Sequence, residues 1–400
     1  MNIQTQHTTQ YKNSPVGLIP EDWQVKTVAE AFEICNNLRF PISEDERKKI
    51  KGDYPYYGPT KIQDYINEYR VNGKYALIGE DGDHFLKWKE LPMTLLIEGK
   101  FNVNNHAHLI QGKENLTEWF FYYFNNKELT PHLTRQGAGR YKLTKKALGE
   151  MLCAIPSIGE QKAIADCLSN WDQAIEKMNA LIAQKELSKK VLMKQLLSGK
   201  KRLKGFYINW EIVKMKDIGV IPIKIPIQKL EKQKLLTVKL YVKGVEFNES
   251  TKPIISKSGR PYYERRKGEL LIGRQNVHNG GIGIVTEVFD GGICSNAISS
   301  FSVDESKYSK KFIFFYLSYP VNYKKIENFM GGTGQKELSE RQLLELEIKV
   351  PLLLEQSAIA NVLQCADNEI QLLKNKLIQL KEQKKGLMQV LLTGKKRLKI

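Results

Sequence analysis

Residues 156–204, PSIGEQKAIADCLSNWDQAIEKMNALIAQKELSKKVLMKQLLSGKKRLK, and residues 351–399, PLLLEQSAIANVLQCADNEIQLLKNKLIQLKEQKKGLMQVLLTGKKRLK, align without a gap at an offset of 195, with 22 of 49 positions identical. Self-similarity of that length at a fixed offset marks an internal duplication. In the first copy Ile164, Leu168, Trp171, Ile175, Met178 and Ile182 recur in alternating steps of four and three. In the second, Ile359, Leu363, Ala366, Ile370, Leu373, Leu377 and Leu380 do the same. That is heptad spacing, and it predicts two long helices packed through a coiled-coil seam. Each copy opens just after a proline, Pro156 or Pro351, with Glu-Gln in its first turn. Each closes on a glycine suited to a left-handed cap, followed by KKRLK at the negative end of the helix dipole. Two such stripes in one chain are buried most simply against each other, as an antiparallel pair. The competing arrangements are packing on each helix's own globular segment, or a homodimer.

The same offset reaches upstream of the helices. Gly137-Ala-Gly139 falls on Gly332-Thr-Gly334, and Leu143-Thr144 falls on Leu338-Ser339. Further back the match thins to LIG at 77–79 against LIG at 271–273, and to Trp23 and Trp210 opening each half. The chain is therefore expected to hold two globular domains, 1–155 and 205–350, and two helical spacers, 156–204 and 351–400. The globular segments carry short β-rich runs: KYALIGE (74–80), MTLLIE (93–98), ELLIGR (269–274) and GIGIVTEVF (281–289). Gly, Asn and Asp separate them, which predicts irregular sheet with long loops. WFFYYF (119–124) and FIFFYL (312–317) read as aromatic helices packed on that sheet. The fold class is α+β, a pseudo-twofold repeat of two sheet-and-helix domains joined by two long helices.

The 400 residues carry a formal charge of +18, with 62 Lys and Arg against 44 Asp and Glu. A basic chain of this size suggests a polyanionic partner, nucleic acid ahead of a membrane surface. Each helical copy holds +5 of the excess, much of it in the KKRLK runs, whose default reading is a solvated helix end. Cys35, Cys153, Cys167, Cys294 and Cys365 form no CxxC pair, which argues against a zinc site or disulfide framework and fits a reducing cytoplasm. The polar start, MNIQTQHTTQYKNS, does not read as a signal peptide, and no run is long and apolar enough to span a bilayer.

Taken in order, IPEDW (19–23), YPYYG (54–58), FNVNNHAH (101–108), the GxGRYKLT and GTGQKELS segments (137–144 and 332–339) and both P-x-x-x-E-Q helix starts resemble the specificity subunits of type I restriction–modification systems. The resemblance runs from GLIPEDWQV (17–25) to the final KKRLK. It implies that each globular unit is a target-recognition domain reading one half of a bipartite, asymmetric site in double-stranded DNA. It implies that the paired helices space the readers and dock two methyltransferase subunits, with restriction/translocase subunits joining them. S-adenosylmethionine, ATP and Mg would then be bound by those partners, and no cofactor by this chain. Two departures stand out. The first helix start reads PSIGEQ, one apolar residue short of the usual pattern, and SNAIS (295–299) replaces NNHAH in the second half, which puts a shared role for His106 in doubt.

The sequence shows no [DN]PP[FY] tetrapeptide, no convincing glycine loop for S-adenosylmethionine and no G-x-x-x-x-G-K-[ST] loop. A recogniser without catalysis of its own is expected; the rivals are a self-contained DNA-modifying enzyme and a coiled-coil scaffold with no nucleic-acid role. Candidate DNA contacts follow from residue type and from position beside glycines or strand ends. They are Tyr56 and Tyr57 in the aromatic turn, Asn105 and His106, Arg135, Arg140 and Lys142, and in the second half Arg274, Gln275, Asn276, Gln335 and Lys336. For the tyrosines, core packing is the equal alternative; for the glycine loops, a plain tight turn. His106 and His108 lack a third ligand, so no metal site is expected.

Overall fold

A computed structural model describes residues 10–136, 140–255, 259–331 and 336–398. The chain divides into two compact units, residues 1–179 with 376–400, and residues 180–375. The long helices are Ile158–Leu196 and Leu353–Leu391, each of 39 residues. Each starts in the unit of its own globular segment and finishes in the other, so the units cut across the boundaries expected from the sequence.

Of the heptad positions, Ile164 and Leu168 join the core of the first globular segment and Ile359 and Leu363 that of the second. Ile164, Leu168, Ile182, Ile359, Leu363 and Ile370 are buried, and Ile175 and Leu377 are half-buried. In the first unit Lys384 pairs with Asp172 at 2.5 Å, and Arg397 pairs with Glu160. In the second, Lys185 pairs with Glu369 at 2.6 Å, Lys189 with Asp367, and Arg202 with Glu355 at 2.6 Å. As one partner moves toward the C-terminus the other moves toward the N-terminus, so the helices run antiparallel in each unit. Both end on a left-handed glycine, Gly199 (φ +68°) and Gly394 (φ +69°). Beyond them the chain folds back: the Lys201 amide donates to the Gln195 carbonyl (3.2 Å) and that of Lys396 to Val390 (3.0 Å), satisfying carbonyls a helix end leaves open.

The first unit holds a six-stranded sheet in the spatial order Phe32–Ile34, Ala107–Gly112, Val71–Gly79, Thr94–Val103, Lys51–Tyr57, Ile62–Ile66. The second holds a four-stranded sheet in the order Gly219–Val220, Ile298–Val303, Leu270–Gly273, Ile282–Ile284. Ranked among themselves by chain position, the first four strands of each sheet lie in the order 1-4-2-3, and every pairing among those four is antiparallel. The globular halves thus share a sheet that their sequences barely reveal, and differ in what is added: two further sheet strands in the first, separate two-stranded ribbons in the second. GIGIVTEVF is shorter as a strand than its sequence suggests. Its partner strand begins at Leu270, just after Gly268 (φ +85°) turns the chain, so the ladder stops at Ile284, and Glu287–Phe289 form a 3-10 turn instead.

The aromatic helices, Thr117–Asn125 and Lys310–Ser318, lie over these sheets as expected. Trp23 meets Trp119 edge-on at 5.7 Å, and Trp210 meets Phe312 edge-on at 5.8 Å. Burying each such side chain contributes about 1.5–3 kcal/mol. Among the described residues no helix is long and apolar enough to cross a membrane.

Candidate nucleic-acid interface

The repeated helix starts hold each globular segment in place with one construction. Gln161 donates from Nε2 to the Pro156 carbonyl (3.0 Å) and accepts the Leu116 amide on Oε1 (2.9 Å), at the head of the aromatic helix. Gln356 does the same with Pro351 (2.7 Å) and Ser309 (2.8 Å). The neighbouring glutamates are gripped by arginines from the other helix end. Arg397 donates from Nη2 to Glu160 (2.7 Å) and reaches Asp22 (2.8 Å); Arg202 donates to both Glu355 oxygens at 2.6 Å. The arginines of the KKRLK runs are therefore spent inside the protein, while Lys200, Lys201, Lys395 and Lys396 are exposed.

Above this base, the first unit gathers several of the candidate contacts at one edge of its sheet. The turn 104–106 precedes the strand Ala107–Gly112, and the hairpin Thr134–Gln136 with Arg140–Lys142 docks beside it through a bridge from Asp81 to Lys142. Glu80 links the parts: Arg39 donates to it at 2.5 Å, Lys142 lies 3.2 Å away, and Arg39 also reaches the Asn105 carbonyl at 3.0 Å. Burial works against ionising Glu80, but Arg39 and Lys142 outweigh it and hold the carboxyl below its ordinary range. His106 donates from Nδ1 to Asp81 (2.8 Å) and is half-exposed. Asn105, Arg135 and Arg140 are exposed, and Arg135 lies over the Tyr141 ring and donates to its hydroxyl at 2.7 Å.

His108 is different. It is fully buried; Nε2 donates to the Leu143 carbonyl (2.8 Å) and Nδ1 accepts from Asn36 (2.9 Å). Burial lowers its pKa and keeps it neutral. With both nitrogens occupied, it has no atom left for a metal. Tyr56 also takes the inward role of the two left open for the aromatic turn. It is fully buried, its hydroxyl donates to the Phe40 carbonyl (2.8 Å) and accepts the Ile42 amide (3.2 Å), and it cannot face a partner. Tyr57 is half-buried against Phe101, 5.9 Å away.

The second unit builds the same edge with the charges exchanged. Arg274 occupies the place of Glu80, and Glu337 that of Lys142. The backbone carbonyls of Glu80 and Arg274 accept the amides of Leu143 (2.7 Å) and Leu338 (3.0 Å), and Arg274 pairs with Glu337 at 2.9 Å. The Glu80 and Arg274 amides likewise donate to His106 (2.8 Å) and Ala297 (2.9 Å). The turn is therefore shared, but alanine stands where the first unit has His106. Arg274 is further held by the Leu338 and Asn296 carbonyls, and Lys336 pairs with Glu327 at 2.7 Å. Gln275 and the exposed Asn276 line a cavity of about 300 Å³ with Arg260, Tyr262 and Asn248. Sequence reading missed those last three. The signal was the PYY triplet, present at 55–57 and again at 261–263. Gly137-Ala-Gly139, Gly332-Thr-Gly334 and Gln335 lie outside the described residues.

Residues 20–186 and 207–382 match the family described as type I restriction modification DNA specificity domain. The chain is similar to the MjaVIII type I restriction enzyme specificity subunit of Methanocaldococcus jannaschii, at 25% identity over 95% of this chain and 94% of that one. It is also similar to a putative type I restriction enzyme specificity subunit of Haemophilus influenzae, at 28% identity over 84% and 86%. In fold it resembles the type I restriction–modification S subunit from M. genitalium, with a TM-score of 0.61 and 14% identity over 92% of this chain and 96% of that one.

Proposed function

This chain belongs to the family of type I restriction modification DNA specificity domains, and on that premise we propose that it reads a bipartite, asymmetric site in double-stranded DNA, one half with each unit. The chain itself does no chemistry; it presents the site to two methyltransferase subunits, with restriction/translocase subunits completing the complex. S-adenosylmethionine, ATP and Mg belong to those partners. The candidate contacts carried by the first half-reader are Tyr57, Asn105, His106, Arg135, Arg140 and Lys142. Those of the second are Arg274, Gln275, Asn276 and Lys336.

The observation that supports this reading is the exchanged pair, Glu80 with Lys142 and Arg274 with Glu337, set in one repeated backbone. A duplicated scaffold whose matching edges carry opposite polarity and different side chains suits two different base sequences, because donors and acceptors on base edges must be met by their complements. The test is adenine methylation of a plasmid by the purified chain, by a cognate methyltransferase subunit, and by the two together. Site-specific methylation is expected only from the mixture. Methyl transfer by the chain alone would refute the proposal. Exchanging residues 20–150 for those of a relative should alter one half of the methylated motif and leave the other unchanged.

A further inference from the structure

Between the end of the second long helix and the aromatic helix Thr117–Asn125, the first unit has a crevice of about 220 Å³. Its walls are apolar and aromatic: Trp88, Tyr122, Tyr123, Met388 and Leu392. Three lysines, Lys89, Lys127 and Lys385, also line it, and among the described lining residues there is no carboxylate.

Lys127 is the unusual one. Its ammonium sits 3.6 Å from the Tyr123 ring centre and 5.7 Å from that of Phe124. Ring faces favour a cation but accept none of its hydrogen bonds in the ordinary sense. Among the described residues no carboxylate or carbonyl meets the ammonium. Burial lowers its pKa to about 8. A half-buried lysine whose ammonium lies over aromatic rings without a counter-ion is a cation that an anion in the crevice would pair with.

The duplication supplies an internal control. The corresponding crevice of the second unit is lined by Phe314, Phe315 and Tyr319, but Pro320 stands in the place of Lys127, and Glu186 and Asp367 join the lining. That second crevice also carries lysines, Lys189, Lys190, Lys243 and Lys374, but with carboxylates among them; the repeated architecture makes a crevice twice and leaves only the first without an acid in its described lining.

We propose that the crevice of the first unit binds a small aromatic monocarboxylate, its ring among Trp88, Tyr122, Tyr123 and Met388 and its carboxylate paired with Lys127. Size sets the class. A dry cavity of about 150 Å³ takes a benzene ring, so the space here takes one ring with a short acidic arm. The three lysines, with no carboxylate among the described lining residues, favour an anionic arm.

The test uses the full chain, with phenylacetate and its neutral isostere phenylacetamide as probes, titrated by calorimetry and by equilibrium dialysis. Saturable binding of phenylacetate at one site is expected, with phenylacetamide weaker by about tenfold or more, as loss of a charge-assisted contact implies. Lys127→Met, checked for native circular dichroism, should weaken phenylacetate by a similar factor. The amide comparison on the unaltered protein stands whether or not that variant folds. Absence of saturation, equal affinity for acid and amide, or undiminished binding by a folded Lys127→Met protein would each overturn the proposal. Tighter binding of a short peptide ending in phenylalanine than of phenylacetate would also overturn it, by identifying the crevice as a partner's docking point.

Discussion

Arg397 clasps Glu160 across 237 residues of sequence, and at the same offset of 195 Arg202 clasps Glu355 across 153. Both carboxylates are almost fully buried, at 0% and 1% exposure. Each clasp ties the start of one repeat's helix to the tail of the other's, so each unit is closed by a residue that the other repeat supplies.

Removing one partner of such a pair leaves a buried charge without its counter-ion. Arg397→Ala is expected to destabilise the first unit by about 3 kcal/mol, and Arg397→Met combined with Glu160→Met to recover only part of that loss, because Trp23 then lacks its acceptor. Hydrogen exchange resolved by peptide is the measurement. Protection should fall in residues 10–179 and 376–398 while residues 180–375 keep theirs, and an equal fall in both units would refute the clasp as a local device.

The two tryptophans that open the halves occupy matching places with different polar partners. Trp23 donates from Nε1 to Glu160 at 3.0 Å, whereas the buried Trp210 Nε1 has no acceptor among the described residues. Replacement by phenylalanine removes similar volume at both sites, so the difference isolates the hydrogen bond. Trp23→Phe should cost about 1–2 kcal/mol more than Trp210→Phe. Equal costs in urea unfolding followed by hydrogen exchange would contradict this.

Glu80 holds Arg39 and Lys142 back from any anion. Glu80→Gln should release both toward phosphates, strengthening binding to non-cognate DNA and steepening the slope of log K against log salt by about 1–2. The same variant should read its half-site less faithfully. An unchanged salt slope would show that neither cation reaches the DNA backbone.

His108 provides a pH signature. Its folded pKa lies below the ordinary value of 6.5 because the ring is buried, with Glu80 facing it favourably and Arg39 and Lys142 unfavourably. The unfolded chain then binds the extra proton first, so stability falls as pH drops from about 6.5 toward the folded value. His108→Gln should lose less over that interval than the parent protein, read as the difference in Tm between them against pH.

The long helices were legible because heptads are local, and Ile164, Leu168, Ile359 and Leu363 needed no partner to be identified. The aromatic helices were legible for the same reason. The common sheet was not. Its strands pair residues far apart in sequence, Phe32 with Gly112 and Gly219 with Val303, and register of that kind leaves only LIG at 77–79 and 271–273 as a trace. Tyr56 could not be told from an outward-facing tyrosine, because alternation along Lys51–Tyr57 is broken by irregular register at Tyr54 and Tyr57. The arginine clasps did leave a signal, since Glu-Gln and KKRLK recur together at the same offset. Reading the basic runs as solvated helix ends was right for Lys200, Lys201, Lys204, Lys395 and Lys396 and missed Arg202 and Arg397.

The first unit is discontinuous, assembled from residues 1–179 and 376–400 with the whole second unit between them. A ribosome making this chain therefore finishes the second unit before it has delivered Met388, Leu391 and Arg397, which fill and close the core of the first. The N-terminal reader has to wait, partly open, through most of synthesis. A premature stop at residue 375 would release a protein whose early half is the damaged one, so the quality of the first domain made is certified by residues translated after the whole of the second.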